Sequence, residues 1–101
     1  MAKLITVYWR DIPAQVIAKE RRDTAKVQLS ERFADAIDRA AMRAGKGSTD
    51  AYLEEWKRVS SECGNDLQAE AEAAAEKLEA AYDKERLMTL IKNQGIEPEQ
   101  A

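Results

Sequence analysis

Apolar residues recur along this chain in two rhythms, one of period two and one of helical period. Lys3 to Trp9 (KLITVYW) is β-branched and aromatic and ends at RDIP, where Asp11 and Pro13 favour a turn, so it predicts a strand. Alternation separates Leu4, Thr6 and Tyr8 from Ile5, Val7 and Trp9; the second set is uniformly apolar and is expected to face the core, with Tyr8 on the other side. Ala14 to Lys19 (AQVIAK) reads as a second strand, although its apolar positions do not alternate cleanly. After the polar ERRD loop, TAKVQLS places Ala25, Val27 and Leu29 on one face and Lys26 and Gln28 on the other. That pattern belongs to an antiparallel sheet with one side open to water.

The helical rhythm begins at Ser30, a good N-cap, and runs through ERFADAIDRAAMRAG with Phe33, Ile37, Ala40, Ala41 and Ala44 in register. Glu31 and Arg43 suit the two ends of the helix dipole, and Gly45 suits the left-handed residue that ends a helix. KGSTD is a linker in which Thr49 or Asp50 can cap the next element. In AYLEEWKRV, the positions of Tyr52, Leu53, Trp56 and Val59 favour a short helix over an edge strand. SSECGND reads as a loop, with Asn65 or Asp66 capping a helix whose stripe is Leu67, Ala71, Ala74, Ala75, Leu78 and Tyr82. The stripe then jumps to Leu87, Leu90 and Ile91, so the helix either bends near Asp83 or restarts with Asp83 as a new cap, ending at Gly95.

Composition narrows the chemistry. With 101 residues and 45% hydrophobic content the chain holds one thin core, too small for a second domain. There is no histidine and a single cysteine, Cys63, which excludes an internal disulfide, a Cys-His pair and a Ser-His-Asp triad within the chain. MAKLITVYW is too short and too quickly charged for a signal peptide, and no window approaches the about 20 apolar residues that span a bilayer, so the cytoplasm is the expected location. The net charge of -3 hides a split. From Met1 to Lys46, ten Lys/Arg stand against six Asp/Glu, a balance of +4; from Gly47 to Ala101, six stand against thirteen, a balance of -7. Such a division suits oriented docking but falls short of a nucleic-acid footprint.

The segments VYWRDIPAQVIAK, ERFADAIDRAAMRAG, DAYLEEW and DLQAEAEAAAEKLEAAYDKERL together resemble the small alphaproteobacterial proteins of the virulence factor family, over about Val7 to Leu90. The resemblance brings no catalytic motif. It implies a genomic setting among one-carbon and corrinoid methyl-transfer enzymes, including a methylenetetrahydrofolate reductase-like protein, and hence a protein partner that is a folate or corrinoid enzyme.

Tyr8, Arg10 and Trp56 are candidate binding residues because aromatic and Arg side chains anchor interfaces; on this reading Tyr8 shares the open face with Lys26 and Gln28. The alternative is that Tyr8 is covered and both tryptophans are core. Lys19, Arg21, Arg22 and Lys26 form a basic cluster able to meet a phosphate or an acidic surface, although Glu20 and Asp23 within it fit a solvated loop. Cys63 precedes a helix start that favours the thiolate, but Glu62 and Asp66 oppose it. Asp35, Asp38, Asp50, Glu70, Glu72 and Glu76 have the spacing of exposed helix faces rather than of a metal site. The alanine-rich stripe of the acidic helix packs on the sheet by default or, left free, docks a partner or a second copy as a homodimer.

These readings predict an α+β two-layer domain over residues 1–95, a small antiparallel sheet of N-terminal strands packed against two to four helices, with residues 96–101 as a flexible polar tail. The expected function is a non-catalytic accessory or protein-interaction module with no cofactor, metal, nucleic acid or membrane, using Tyr8, Arg10, Arg22, Lys26 and Trp56. The rival is a small anionic-ligand-binding protein or minor enzyme using the Tyr8, Arg10 and Arg22 face.

Overall fold

The computed structural model describes residues 2–45 and 49–96, without the side chains of Thr49, Asp50 and Ala51; the expected tail, apart from Ile96, and the expected caps at Thr49 and Asp50 lie outside the described residues. The elements are β1 (Ala2–Trp9), β2 (Ile12–Glu20), β3 (Asp23–Gln28), α1 (Glu31–Arg43), α2 (Thr49–Glu54), β4 (Trp56–Cys63), α3 (Leu67–Ala81) and α4 (Lys84–Lys92). The strands form one antiparallel sheet in the order β3-β2-β1-β4, and the helices pack against it as a second layer, so the fold is the α+β type expected.

Two tight turns build the β1-β2-β3 meander. Arg10 and Arg21, the first residues of these turns, both have φ of 54°, a left-handed conformation taken without glycine. Registers fix the two faces. Leu4 lies opposite Ala18, and Ala18 opposite Ala25; Thr6 lies opposite Val16, and Val16 opposite Val27. Leu4, Val16, Ala18, Ala25 and Val27 all join the core formed with Phe33, Ile37, Ala71 and Leu90. The helix side of β1 is therefore the Leu4 side, and the expectation that Ile5 and Val7 face the core is corrected. Ile5 lies opposite Ile17, itself opposite Lys26, and these residues share the face away from the helices.

Trp9 is in the core nonetheless. The β1-β2 register slips between Val7 and Tyr8, where Ala14 is the extra residue of a bulge, and bulges bend and twist a hairpin. Beyond it, Trp9 and Ile12 are completely buried in the helix-side core.

The short helix expected around residues 51–59 is α2 only as far as Glu54; β4 then takes Trp56–Cys63, and the SSEC segment, expected as loop, is its second half. β4 carries no alternating stripe because the helices do not cover it: every residue from Lys57 to Glu62 is exposed. Its strand character comes from the ladder with β1, which runs without irregularity from Ala2 opposite Cys63 to Trp9 opposite Trp56.

The helix ends follow local chemistry. Asp66 accepts from the Ala69 N–H at 3.2 Å and Asp83 from the Arg86 N–H at 2.8 Å, so the slip in the apolar stripe is a true break between α3 and α4. Ser30 occupies the N-cap position of α1 but makes no side-chain cap. Its N–H and hydroxyl both donate to the Glu79 carboxylate, at 2.7 and 2.9 Å, tying the start of α1 to α3.

Candidate functional site

The face opposite the helices carries the most organised set of unassigned side chains. Its centre is apolar: Ile5 beside Ile17, with Val7 two positions along β1. Around it the same registers place Lys3 and Lys19 at one end, Lys26 on β3 and Arg58 on β4, with Gln15 and Gln28 between them. The carboxylate at a strand position of this face is Glu62, opposite Lys3. Four cations thus stand against one anion. Val7 and Ile17 are buried although outside the helix-side core, while Lys3, Lys19, Lys26 and Arg58 are all exposed. Long basic side chains lay their methylenes over apolar neighbours and keep the charge in water.

At the α2 end, where the edge of the sheet is reached, Val7, Gln15, Leu53, Trp56, Lys57 and Arg58 line a shallow depression. Trp56 is half-buried and packs edge-on against Tyr52, ring centroids 5.7 Å apart, and Leu53 is exposed. Of the residues singled out from sequence, Lys26 therefore belongs to this face, while Trp56, opposite Trp9 and packed against the helix-side core, borders only its α2 end.

The others are placed elsewhere. Tyr8 lies opposite Lys57 and Pro13, on the reverse side of the sheet from Lys26, so the expectation that it shares the open face is corrected. The Lys57 ammonium stands 5.9 Å from its ring centre. Arg10 serves the fold: its Nε donates to Glu55 at 3.0 Å and its Nη1 to the Gln94 carbonyl at 2.9 Å, while its guanidinium stacks 5.3 Å from the Trp9 ring. Arg22 is exposed in the β2-β3 turn, the full length of β2 away from Arg10. Tyr8, Arg10 and Arg22 do not converge on one pocket.

Sequence reasoning missed Lys3, Ile5, Ile17 and Arg58. The signal for the first three was the second apolar row of β2, legible only once β1 and β2 are in register. Arg58 could not be found while β4 was read as part of a helix.

Among the described residues, no polar or charged residue is buried, and no three His, Cys, Asp or Glu side chains converge as metal ligands. Three groups titrate away from their ordinary values. Burial raises the Cys63 thiol, and Glu70 and Glu20 add to the effect. Burial, with Asp38, raises the Tyr52 phenol. Burial works against the Glu79 anion, but hydrogen bonds from the Ser30 N–H, Arg32 and the Ser30 hydroxyl, with the Arg32 charge, outweigh it and hold the carboxyl low. Each serves packing or helix connection, away from the open face.

A family profile described as "Virulence factor" matches residues 7–91, from the middle of β1 to the last turn of α4. The chain belongs to the virulence factor family. The matched span holds the helix layer except Lys92 and all of the open face except Lys3 and Ile5. Comparison with curated proteins and with solved structures gave no match. Among the described residues, no helix is long and apolar enough to cross a membrane.

Proposed function

We propose that this virulence factor family protein is a non-catalytic interaction module that docks an acidic surface of a partner protein on its open sheet face. The observation that carries the reading is the arrangement of Lys3, Lys19, Lys26 and Arg58 around the Ile5, Val7 and Ile17 row, with Glu62 as the opposing charge. An apolar centre supplies affinity, and a single-sign rim steers and orients the encounter. The cations stand on four strands around an exposed sheet face rather than at one pocket, which suits a broad partner surface better than a small ligand. The partner class to test first is the folate- or corrinoid-dependent methyl-transfer enzymes, the setting implied by the sequence resemblance.

The test measures binding of purified enzymes of that class to the wild type and to Lys19→Glu/Lys26→Glu by biolayer interferometry at two salt concentrations. The reading expects wild-type binding that weakens with salt and falls roughly tenfold or more in the double variant, since each like-charge contact at a rim costs on the order of 1 kcal/mol. Equal binding by both proteins removes the face from the interaction, and no binding by either removes this partner class.

A further inference from the structure

β4 is an edge strand of eight residues with β1 on one side and, among the described residues, no strand on the other. It contains no proline, and its ladder with β1 has no bulge, so it lacks two of the devices that commonly block edge pairing. The opposite edge, β3, is shorter, at six residues, and contributes Ala25 and Val27 to the helix-side core.

The backbone polarity of β4 follows from one hydrogen bond. The Arg10 N–H donates to the Glu55 carbonyl at 3.1 Å, in the same register that pairs Trp9 with Trp56. Hydrogen-bonded and non-bonded pairs alternate along an antiparallel ladder, so Lys57, Val59, Ser61 and Cys63 turn their backbone groups toward β1. Trp56, Arg58, Ser60 and Glu62 turn theirs outward.

We infer that β4 pairs with β4 of a second copy, antiparallel, about a two-fold axis through Ser60. An axis perpendicular to the sheet keeps both helix layers on one side and places each residue opposite one of its own parity. Centred on Ser60, it sets Ser60 against Ser60 and Arg58 against Glu62 of the second copy, twice over. All of these residues have outward backbone groups, and both charge pairs are of opposite sign. Lys57 then faces Cys63, and Val59 faces Ser61, so no like charges meet across the seam. A shift to Val59 as the centre sets Arg58 against Ser60 and loses the direct charge pairs. Packing the open faces of two copies together instead opposes two sets of cations, which is repulsive. Edge pairing joins the two open faces into one eight-stranded surface, with the Ile5, Val7 and Ile17 row present twice.

Sedimentation equilibrium of the full chain up to about 1 mM tests the pairing, a range suited to a seam with little buried side-chain area. The wild type is expected to approach twice its monomer mass. Arg58→Glu, which sets like charges opposite each other twice, is expected to weaken the dimer about tenfold, and Arg58→Glu/Glu62→Arg to restore it. A second variant reads the register directly. In Ser60→Cys/Cys63→Ser, the two new thiols face each other across a hydrogen-bonded pair of about 5.5 Å between Cα atoms, within disulfide span, and mild oxidation should yield a covalent dimer. A monomeric wild type at the highest concentration overturns the inference. So does Arg58→Glu dimerising like the wild type, or the absence of a covalent dimer on oxidation of Ser60→Cys/Cys63→Ser. Lys19 and Lys26, reversed to test the docking face, are not on β4, so failure of one proposal is distinguishable from failure of the other.

Discussion

Gly95 sits against the ring of Trp9: a Cβ built at Gly95 would stand 2.9 Å from Cζ3 of the indole. This contact closes the chain after α4 onto the end of β1. It is reinforced by the Gly95 carbonyl, which accepts from the Asp11 N–H at 2.8 Å, and by the Trp9 indole N–H, which donates to the Tyr52 carbonyl at 2.9 Å. One buried aromatic thus holds together the hairpin tip, α2 and the C-terminal turn.

Two glycines separate conformational strain from that contact. Gly45 has φ of 72° with open space around its missing Cβ, whereas Gly95 has φ of 86° with the Trp9 ring against it. Gly45→Ala should cost about 1 kcal/mol, the left-handed penalty alone. Gly95→Ala should cost about 2–4 kcal/mol, because overpacking against a buried ring adds to that penalty. Urea unfolding followed by tryptophan fluorescence checks both, and equal losses would show that the ring yields without cost.

The Glu79 clamp should give the stability curve an acid limb. Its carboxyl is held below the ordinary value of 4.5, so the folded state binds its proton less readily than the unfolded chain does. The resulting stability is complete above the unfolded value and fades as the pH falls through the lower folded value. Glu79→Gln should remove most of this dependence and, at neutral pH, cost roughly 1–3 kcal/mol through the charged hydrogen bonds from Ser30 and Arg32. The check is chemical denaturation of both proteins at stepped pH; parallel acid limbs would count against the assignment.

Cys63 should react slowly. Burial, Glu70 and Glu20 raise its thiol, leaving less thiolate at neutral pH than an unperturbed cysteine. Alkylation by iodoacetamide is expected to run several-fold slower than with glutathione, and its rate should rise with pH beyond the point where glutathione levels off. A rate equal to or above that of glutathione would contradict the raised value.

The meander and α1 were legible because each has a local cause, among them the Asp11 and Pro13 turn and the alternation of Ala25 to Leu29; the α3-α4 break was legible as one of two alternatives, a bend or a restart, and the Asp83 cap decides for the restart. Two features were not legible. β4 is exposed along its length, so burial imposed no period on it, and only the ladder to β1 makes it a strand. The faces of β1 were reversed because β2 is apolar on both sides, Val16 and Ala18 against Ile17; only register reveals which row meets the helices. Trp9 was rightly expected in the core, although Ile5 and Val7, expected there with it, lie outside that core. Lys26 was placed on the open face from sequence and lies there, whereas Trp56, named as a binding candidate or core, packs against the core, and Tyr8 and Arg10 shared with Trp9 a place in sequence and not an orientation.

The ladder between β1 and β4 also bears on how the chain acquires its shape. β1, β2 and β3 are neighbours in sequence and can pair as soon as they exist, but β4 follows only after α1 and α2, and its contacts with β1 are the most distant in the sheet. Non-local pairings form late, because the intervening chain must first be ordered. During synthesis β1, one of the two inner strands of the finished sheet, is therefore for a time its bare margin. Ile5 and Val7 lie on that strand, so the interval before Trp56–Cys63 emerges from the ribosome is when the nascent protein is most prone to stick to its neighbours.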